Sequence, residues 1–407
     1  MKSQSSVVIT GVGVVSAAGC GVEPFAETLA SSEVLRTKVD RSAGYHVGNS
    51  SRTAVLSGGA DLSEWVAPMK ARRMSQPSKQ AVAAANMAVA QSGLAKDELA
   101  NAAIVIATAY GAAEVTENIL RQAMLDGPET VSPALFTESV ANAPAAQVAL
   151  WFKAKGPNLT LVQRQAGPLL ALAQGVSAIS TGKAPMVIVG AVDEVNPLIH
   201  SILDRFRALA KPGDDGEEIA RPFDRWRSGF LAGDGATVVI LERESAAKER
   251  GAEPLIRVKM TGRAFDPSAP RTSWSREPGL LTRLMAESLS SAGIEPSAID
   301  RLVTGGCGGG PGDRIEGLVL RSLFGDVRLP PFLAPKGVTG ESGGGLLAAA
   351  VLAATGSPFG PTAGFEDEDP ELGIVPHDGR TLSKPEAVLV TGFAAGGAAA
   401  WAVLEPA

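Results

Sequence analysis

Few residues of this 407-residue chain combine the type and placement that chemistry needs. Gln165 is the most informative. It lies in the run Gly156-Pro157-Asn158-Leu159-Thr160-Leu161-Val162-Gln163-Arg164-Gln165-Ala166-Gly167-Pro168, which leads into the apolar stretch Leu169 to Ala173. The pattern predicts a strand, a sharp turn and a buried helix whose first residues surround position 165. A thiol there would be an activated nucleophile, because the helix dipole and free backbone N–H groups favour the thiolate. A carboxamide cannot attack a thioester. Lys336 and Glu341 could form a catalytic pair, although a buried ion pair is the simpler expectation. Cys307 sits among Gly305, Gly306 and Gly308 with no histidine or cation beside it in sequence, and reads as a buried, inert thiol.

Other chemistries find little support. Three histidines (His46, His200, His377) and two cysteines (Cys20, Cys307) lack HxxxH or CxxC spacing, so no metal site and no disulfide framework are expected. Gly11-Val12-Gly13 follows a strand, but the third glycine and the acidic residue of a dinucleotide fingerprint are missing. It reads as a tight turn, and no cofactor is expected. A net charge of −6 argues against nucleic acid as a partner. The acidic run Glu366-Asp367-Glu368-Asp369 reads as a solvated loop. No apolar run of spanning length and no signal-like N-terminus are found, which predicts a cytoplasmic protein with no membrane partner.

The elements that must position these residues are those of an α/β protein. Hydrophobic residues make up 45% of the chain, enough for a large core. Short β-branched runs recur at Val7–Thr10, Ile104–Ala107, Met186–Val189, Thr237–Leu241, Leu302–Thr304, Ala387–Thr391 and Ala399–Leu404. Helix-length segments separate them, as buried sheets require. Residues 80–91 form an Ala-rich helix, apolar nearly all round and therefore expected to be buried. Two halves are predicted, 1–245 and 255–407, each ending in a Gly/Ala turn and an apolar strand that finishes on Leu-Glu. The charged segment 243–254 would join them.

Five motifs, in order along the chain, carry a family resemblance. They are Val8-Ile9-Thr10-Gly11-Val12-Gly13-Val14-Val15-Ser16, the segment around Gln165, and Arg221-Pro222-Phe223-Asp224 followed by Gly229-Phe230 and Gly233-Asp234-Gly235-Ala236. The last two are Lys336-Gly337-Val338-Thr339-Gly340-Glu341-Ser342 and Gly392-Phe393-Ala394-Ala395-Gly396-Gly397. Together they resemble the β-ketoacyl synthases, with Asp234 where Glu is usual. The resemblance implies the thiolase fold, two duplicated halves in a five-layer αβαβα sandwich, and work on acyl chains held by an acyl carrier protein. The family's Cys-His-His set falls at Gln165, about Gly306, and Glu341. Lys336 is retained, and the gate phenylalanine falls at Ala395. With all three catalytic positions lost together, the chain resembles the chain length factor, the ketosynthase beta subunit of type II polyketide synthases, whose Gln-Ala-Gly run is present as Gln165-Ala166-Gly167. Val162-Gln163-Arg164 before the run and Pro168 after it depart from the aromatic-polyketide pattern, so a polyene-making or other reducing system fits as well.

The resemblance implies a heterodimer with an active ketosynthase alpha subunit, an acyl tunnel at the interface, and control of chain length by this chain. The tunnel segment would comprise Tyr110, Ala112, Ala113, Val115, Thr116 and Ile119, with Ala112, Val115 and Ile119 along one helical face. Leu135, Phe136, Val148 and Trp151 are the expected interface residues. On this reading Gln165 plugs the vacated pocket, its amide satisfied by backbone N–H groups. Two alternatives remain: a malonyl-carrier-protein decarboxylase supplying starter units, and a purely structural dimerisation partner.

Overall fold

A computed structural model describes residues 6–48, 51–325 and 329–407. The N-terminal half contributes five main strands: β1 (Val7–Ser16), β2 (Ala103–Thr108), β3 (Asn158–Val162), β4 (Met186–Asp193) and β5 (Gly235–Arg243). The C-terminal half contributes β6 (Ile256–Phe265), β7 (Arg301–Val303), β8 (Phe332–Leu333), β9 (Val388–Phe393) and β10 (Ala398–Pro406). Their spatial order is β3-β2-β4-β5-β1 in one half and β8-β7-β9-β10-β6 in the other. In both, the last strand of the half runs antiparallel between two neighbours. The same strand order and the same antiparallel member in each half make this a duplicated fold. The two sheets join where Val7–Ile9 of β1 pair with Ile256–Val258 of β6.

Helices fill the spaces on either side of the sheets. α1 (Gln76–Ser92) and α3 (Ala143–Phe152) cover the outer face of the first sheet, and α6 (Gly279–Ser291) and α7 (Gly310–Phe324) that of the second. α4 (Gly167–Ser180) and α8 (Gly343–Thr355) lie between the sheets. Five layers result. The apolar core divides accordingly into one central and two outer clusters. α8 is apolar all round and buried from Gly343 to Ala354, as a helix with sheet on both sides must be. Two further helices are used below: α2 (Ala113–Leu125), after β2, and α5 (Pro197–Arg205), after β4. The segment joining the halves folds as a short helix, Glu244–Glu249.

Two expectations need correcting. Gly11-Val12-Gly13 is no turn; it lies inside β1, which runs on to Ser16. The glycines are there because α1 passes close by: a Cβ on Gly11 would sit 2.0 Å from Ala88 O, and one on Gly13 2.1 Å from Ala84 O. The acidic run is not simply solvated either. Glu366 pairs with Arg221 at 2.9 Å, Asp369 with Arg227 at 2.5 Å, and Asp367 accepts from the Trp226 indole at 2.8 Å. The loop thus holds down the Arg221–Arg227 segment, from which Phe223 projects into the site.

Candidate functional site

Gln165 lies in the turn between β3 and α4, immediately before the Ala166 N-cap, and is 6% exposed. Gly306 is in the loop after β7. Lys336 opens a single helical turn, Lys336–Thr339, and Glu341 precedes α8. The strand ends and helix starts of both halves bring these positions into one buried cluster.

Two cations and one carboxylate dominate it. Lys336 Nζ donates to both Glu341 oxygens at 3.0 and 3.1 Å, with both side chains removed from solvent. Burial alone would raise the Glu341 carboxyl, but Lys336 and Arg164 hold it below the usual carboxylate range. Burial likewise disfavours the Lys336 ammonium, and Glu341 overcomes this to keep the lysine charged. Arg164 reaches the same carboxylate at 3.8 Å, donates to Tyr110 Oη at 3.0 Å and lies over the Phe230 ring. A guanidinium only donates, so the Gln165 carboxamide turns its oxygen toward it, accepting from Nη2 at 2.5 Å and Nε at 3.1 Å. The partner of Gln165 Oε1 is therefore a side chain, not the backbone N–H groups expected from the sequence.

The backbone of the neighbouring glycine loop is held by two other carboxylates. Asp313 accepts from the N–H of Cys307, Gly308 and Phe223, each at 2.9 Å, and Glu316 accepts from Gly305 N at 2.9 Å. Burial pushes Asp313 up to about 6 and Glu316 to about 7, with these donors opposing the shift. The glycine loop is thus braced by two buried carboxylates. Cys307 is 6% exposed, and burial, Glu341 and Asp313 push its thiol well above the ordinary range. A thiol in that setting is no nucleophile.

Gly306 adds a steric fact. A Cβ at this position would lie 2.2 Å from Phe223 Cε2. Phe223 is fully buried, has φ 60° and packs edge-on against Phe332 with ring centroids 5.3 Å apart. The volume into which a side chain at 306 would project is filled by an aromatic ring. Ala395 is half-buried in the turn between β9 and β10.

The segment after β2 adjoins this cluster through Tyr110. Ala112 and Ala113 are buried at the start of α2, while Val115, Thr116 and Ile119 are half-buried along it. Asp193, fully buried at the end of β4, accepts from Ala109 N at 2.8 Å and Gly343 N at 3.0 Å. It ties the start of this segment to α8, and burial pushes its carboxyl up to about 6. Glu194 accepts from Glu114 N at 3.0 Å and so caps α2. Of the expected interface residues, Leu135 and Phe136 are 41% and 62% exposed. Val148 must be removed: it is completely buried in the outer core beneath α3. Leu150, two residues on and so on the opposite side of the helix, is 71% exposed. Trp151 is half-buried, its indole donating to Asn86 Oδ1 at 2.9 Å and its ring covered by Lys70 at 4.5 Å.

Sequence reasoning missed Arg164, Phe223, Asp193 and Asp313. The one available signal was Arg164 itself, a cation placed just ahead of a helix that must be buried. Among the described residues no group of three or more His, Cys, Asp or Glu is arranged to hold a metal ion, and no helix is long and apolar enough to cross a membrane.

Comparison with known proteins agrees with this geometry. Residues 4–247 match the model of the "Beta-ketoacyl synthase, N-terminal domain" family. The chain is 31% identical to the actinorhodin polyketide putative beta-ketoacyl synthase 1 of Streptomyces coelicolor, over 98% of this chain and 88% of the relative. It is 30% identical to the granaticin polyketide putative beta-ketoacyl synthase 1 of Streptomyces violaceoruber, over 96% of each. Among solved structures, the ishigamide ketosynthase/chain length factor superposes with a TM-score of 0.89 at 26% identity, covering the whole of both chains. A type II polyketide synthase ketosynthase in complex with its acyl carrier protein (AntDE:AntF) superposes with a TM-score of 0.88 at 21% identity. Duplicated halves, a turn at Gln165 and full-length similarity to polyketide ketosynthases together place this chain in the β-ketoacyl synthase family, on the thiolase fold.

Proposed function

We propose that the chain is a non-catalytic ketosynthase beta subunit, which pairs with a cysteine-bearing alpha subunit, completes its acyl tunnel and sets product length. One observation carries the reading. The place of the nucleophile and its helpers is filled by side chains already bonded to one another: Gln165 to Arg164, Glu341 to Lys336, and Phe223 over Gly306. No group in this set is free to attack a thioester or to take up a proton from a substrate.

A surface suited to a partner supports the pairing. β3 ends the sheet order and, among the described residues, leaves one edge of its backbone unpaired, with Leu159 and Val162 40% and 64% exposed. Leu135, Phe136 and Leu150 are exposed on the helices that precede it in the chain. An apolar sheet edge of this kind is a liability in a lone protein and a template for pairing in an assembly. For the decarboxylase alternative, the N–H groups of Gly305, Cys307 and Gly308 are already taken by Glu316 and Asp313, and the cations Lys336 and Arg164 are already paired with Glu341.

Reconstitution tests the proposal. A ketosynthase alpha subunit with intact Cys-His-His, its carrier protein and malonyl units are combined with and without this chain. Product of defined length should require both subunits, and alpha alone giving the same length and yield would refute the reading. Ala113→Phe fills a buried position at the start of α2 and should shorten the product. An unchanged distribution would remove residues 110–119 from the tunnel.

A further inference from the structure

The apolar residues Leu135 and Phe136 stand on a turn that contributes nothing to the core. Pro133–Phe136 forms one short helical turn with no buried residue, and both Leu135 and Phe136 point outward. Its own bonds are short-range: Leu135 N donates to Ser132 O at 3.1 Å, Ser139 N to Phe136 O at 3.2 Å and Thr137 Oγ1 to Ala134 O at 3.0 Å. Such bonds shape the turn without fixing where it stands against the rest of the fold. Glu138 supplies the fixing. It is buried although it follows the exposed Thr137, and its carboxylate is met by neutral donors from two helices. Oε2 accepts from Ser75 N and Ser78 Oγ, both at 2.8 Å, at the N-terminal end of α1, where the helix dipole favours a negative charge. Oε1 accepts from Gln147 Nε2 of α3 at 2.6 Å. A carboxylate taken out of water must keep such partners, so they hold Glu138 in one place. α3 carries the connection on to the sheet edge, since Asn158 Nδ2 at the start of β3 donates to Ala145 O at 3.1 Å. The exposed turn and the exposed edge of β3 are thereby fixed relative to one another.

We propose that Glu138 is the positioning residue of the partner surface: it presents Leu135 and Phe136 to the alpha subunit already in the binding geometry. This rests on the pairing proposed above. A turn ordered beforehand avoids the cost of ordering it at association. The carboxylate matters because of the donors around it. An apolar side chain of similar size would leave the Ser75 N–H, the Ser78 hydroxyl and the Gln147 amide without their acceptor. A glutamine would not, because its oxygen can take the Ser75 and Ser78 donors while Gln147 turns its own amide round to accept from the new NH2 group.

The test measures the Kd of the heterodimer formed with the alpha subunit of the reconstitution, by sedimentation over a dilution series. Glu138→Leu should raise Kd roughly tenfold, because the turn must then be ordered at the moment of binding. Leu135→Ala/Phe136→Ala should raise it by roughly tenfold or more. Adding Glu138→Leu to that pair should change Kd by less than about twofold, since the positioning then has little left to present. Glu138→Gln should stay within about threefold of the parent. Gln147→Leu, which removes only the donor from α3, should show the same non-additivity at about threefold, and it carries the test if Glu138→Leu does not fold. Urea unfolding of each free variant reads folding separately. A parent-like Kd for Glu138→Leu, or an effect that adds in full to that of Leu135→Ala/Phe136→Ala, would overturn the positioning role while leaving the pairing intact. A heterodimer indifferent to Leu135→Ala/Phe136→Ala would remove the turn from the interface, and the inference with it. Absence of any complex with the parent chain would instead refute the proposed pairing on which the inference stands.

Discussion

Replacing Glu341 by Gln tests whether the cluster around Gln165 is now structural. Lys336 and Glu341 are fully buried, and the ammonium contacts both carboxylate oxygens at 3.0 and 3.1 Å. Removing one partner of such a pair leaves the other charge uncompensated in the interior, at a cost of roughly 3–5 kcal/mol. The cost should fall toward the upper end, since Arg164 faces the same carboxylate at 3.8 Å and would lose it too. Equilibrium urea unfolding, followed by both tryptophan fluorescence and far-UV circular dichroism, reads the change when the two probes coincide. The double variant Lys336→Met/Glu341→Leu replaces the pair by apolar groups of similar size, and should recover the part of the loss due to the unpaired lysine, about 2 kcal/mol or more, while Arg164 still lacks its carboxylate. The sign with pH follows from the depressed Glu341 carboxyl. Its contribution is present above the unfolded carboxylate value and lost as pH falls, so the gap between parent and Glu341→Gln should narrow under acid. A single variant costing less than about 1 kcal/mol, or a double variant as unstable as the single, would refute a structural role for the pair.

Three further outcomes follow from the same contacts. Gly306→Ala drives a methyl into Phe223 and should cost roughly 1–3 kcal/mol in urea unfolding, with Phe223→Leu relieving part of it in the double variant. Gln165→Cys should not restore condensation when the heterodimer's alpha cysteine has been replaced by alanine; extended product seen by mass spectrometry would count against a dismantled site. Asp193 and Asp313, raised to about 6, and Glu194 and Glu316, raised to about 7, all lie above their unfolded values. The folded chain therefore binds more protons than the unfolded one over this range, and these groups make stability fall as pH rises from about 4 to about 7. Glu194→Gln should flatten the profile between pH 5 and 7.5 by on the order of 1–3 kcal/mol, and an unaltered profile would show that Glu194 is not the group responsible.

The sheet strands and the central helices were legible because their signal is local. Runs such as Met186–Val189 and Ala399–Leu404 mark buried strands without reference to anything distant, and the Ala-rich 80–91 segment marks a buried helix. The loss of the nucleophile at Gln165 could be read from one position. What replaced it could not. Arg164 adjoins Gln165 in the chain, but its guanidinium is aimed by Tyr110, Phe230 and Glu341, and the ring that fills the space at Gly306 comes from the distant Phe223, so neither outcome is written locally. Gly11-Val12-Gly13 misled for a related reason. Glycine marks turns and close backbone approach alike, and only the position of α1 decides between them. Val148 misled because α3 is apolar on most of its surface, so its composition does not tell the buried face from the exposed one.

The losses at the site and the wall beside it are connected through Arg164. A guanidinium next to an activated thiolate would pair with it and occupy the approach a substrate needs, so a catalytic cysteine at 165 and this arginine would compete for the same space. With a carboxamide at 165, Arg164 becomes useful: it compensates Glu341, orients Gln165 and holds the Tyr110 hydroxyl at the head of the proposed tunnel segment. Asp193 fastens the adjoining Ala109 N–H to α8 within the same cluster. Rigidity of the segment ahead of α2 thus depends on groups that stand where catalysis would otherwise need freedom. On the proposed reading, a chain without the chemistry can invest those positions in a fixed wall, and a wall that is to measure an acyl chain by where it stops must be fixed.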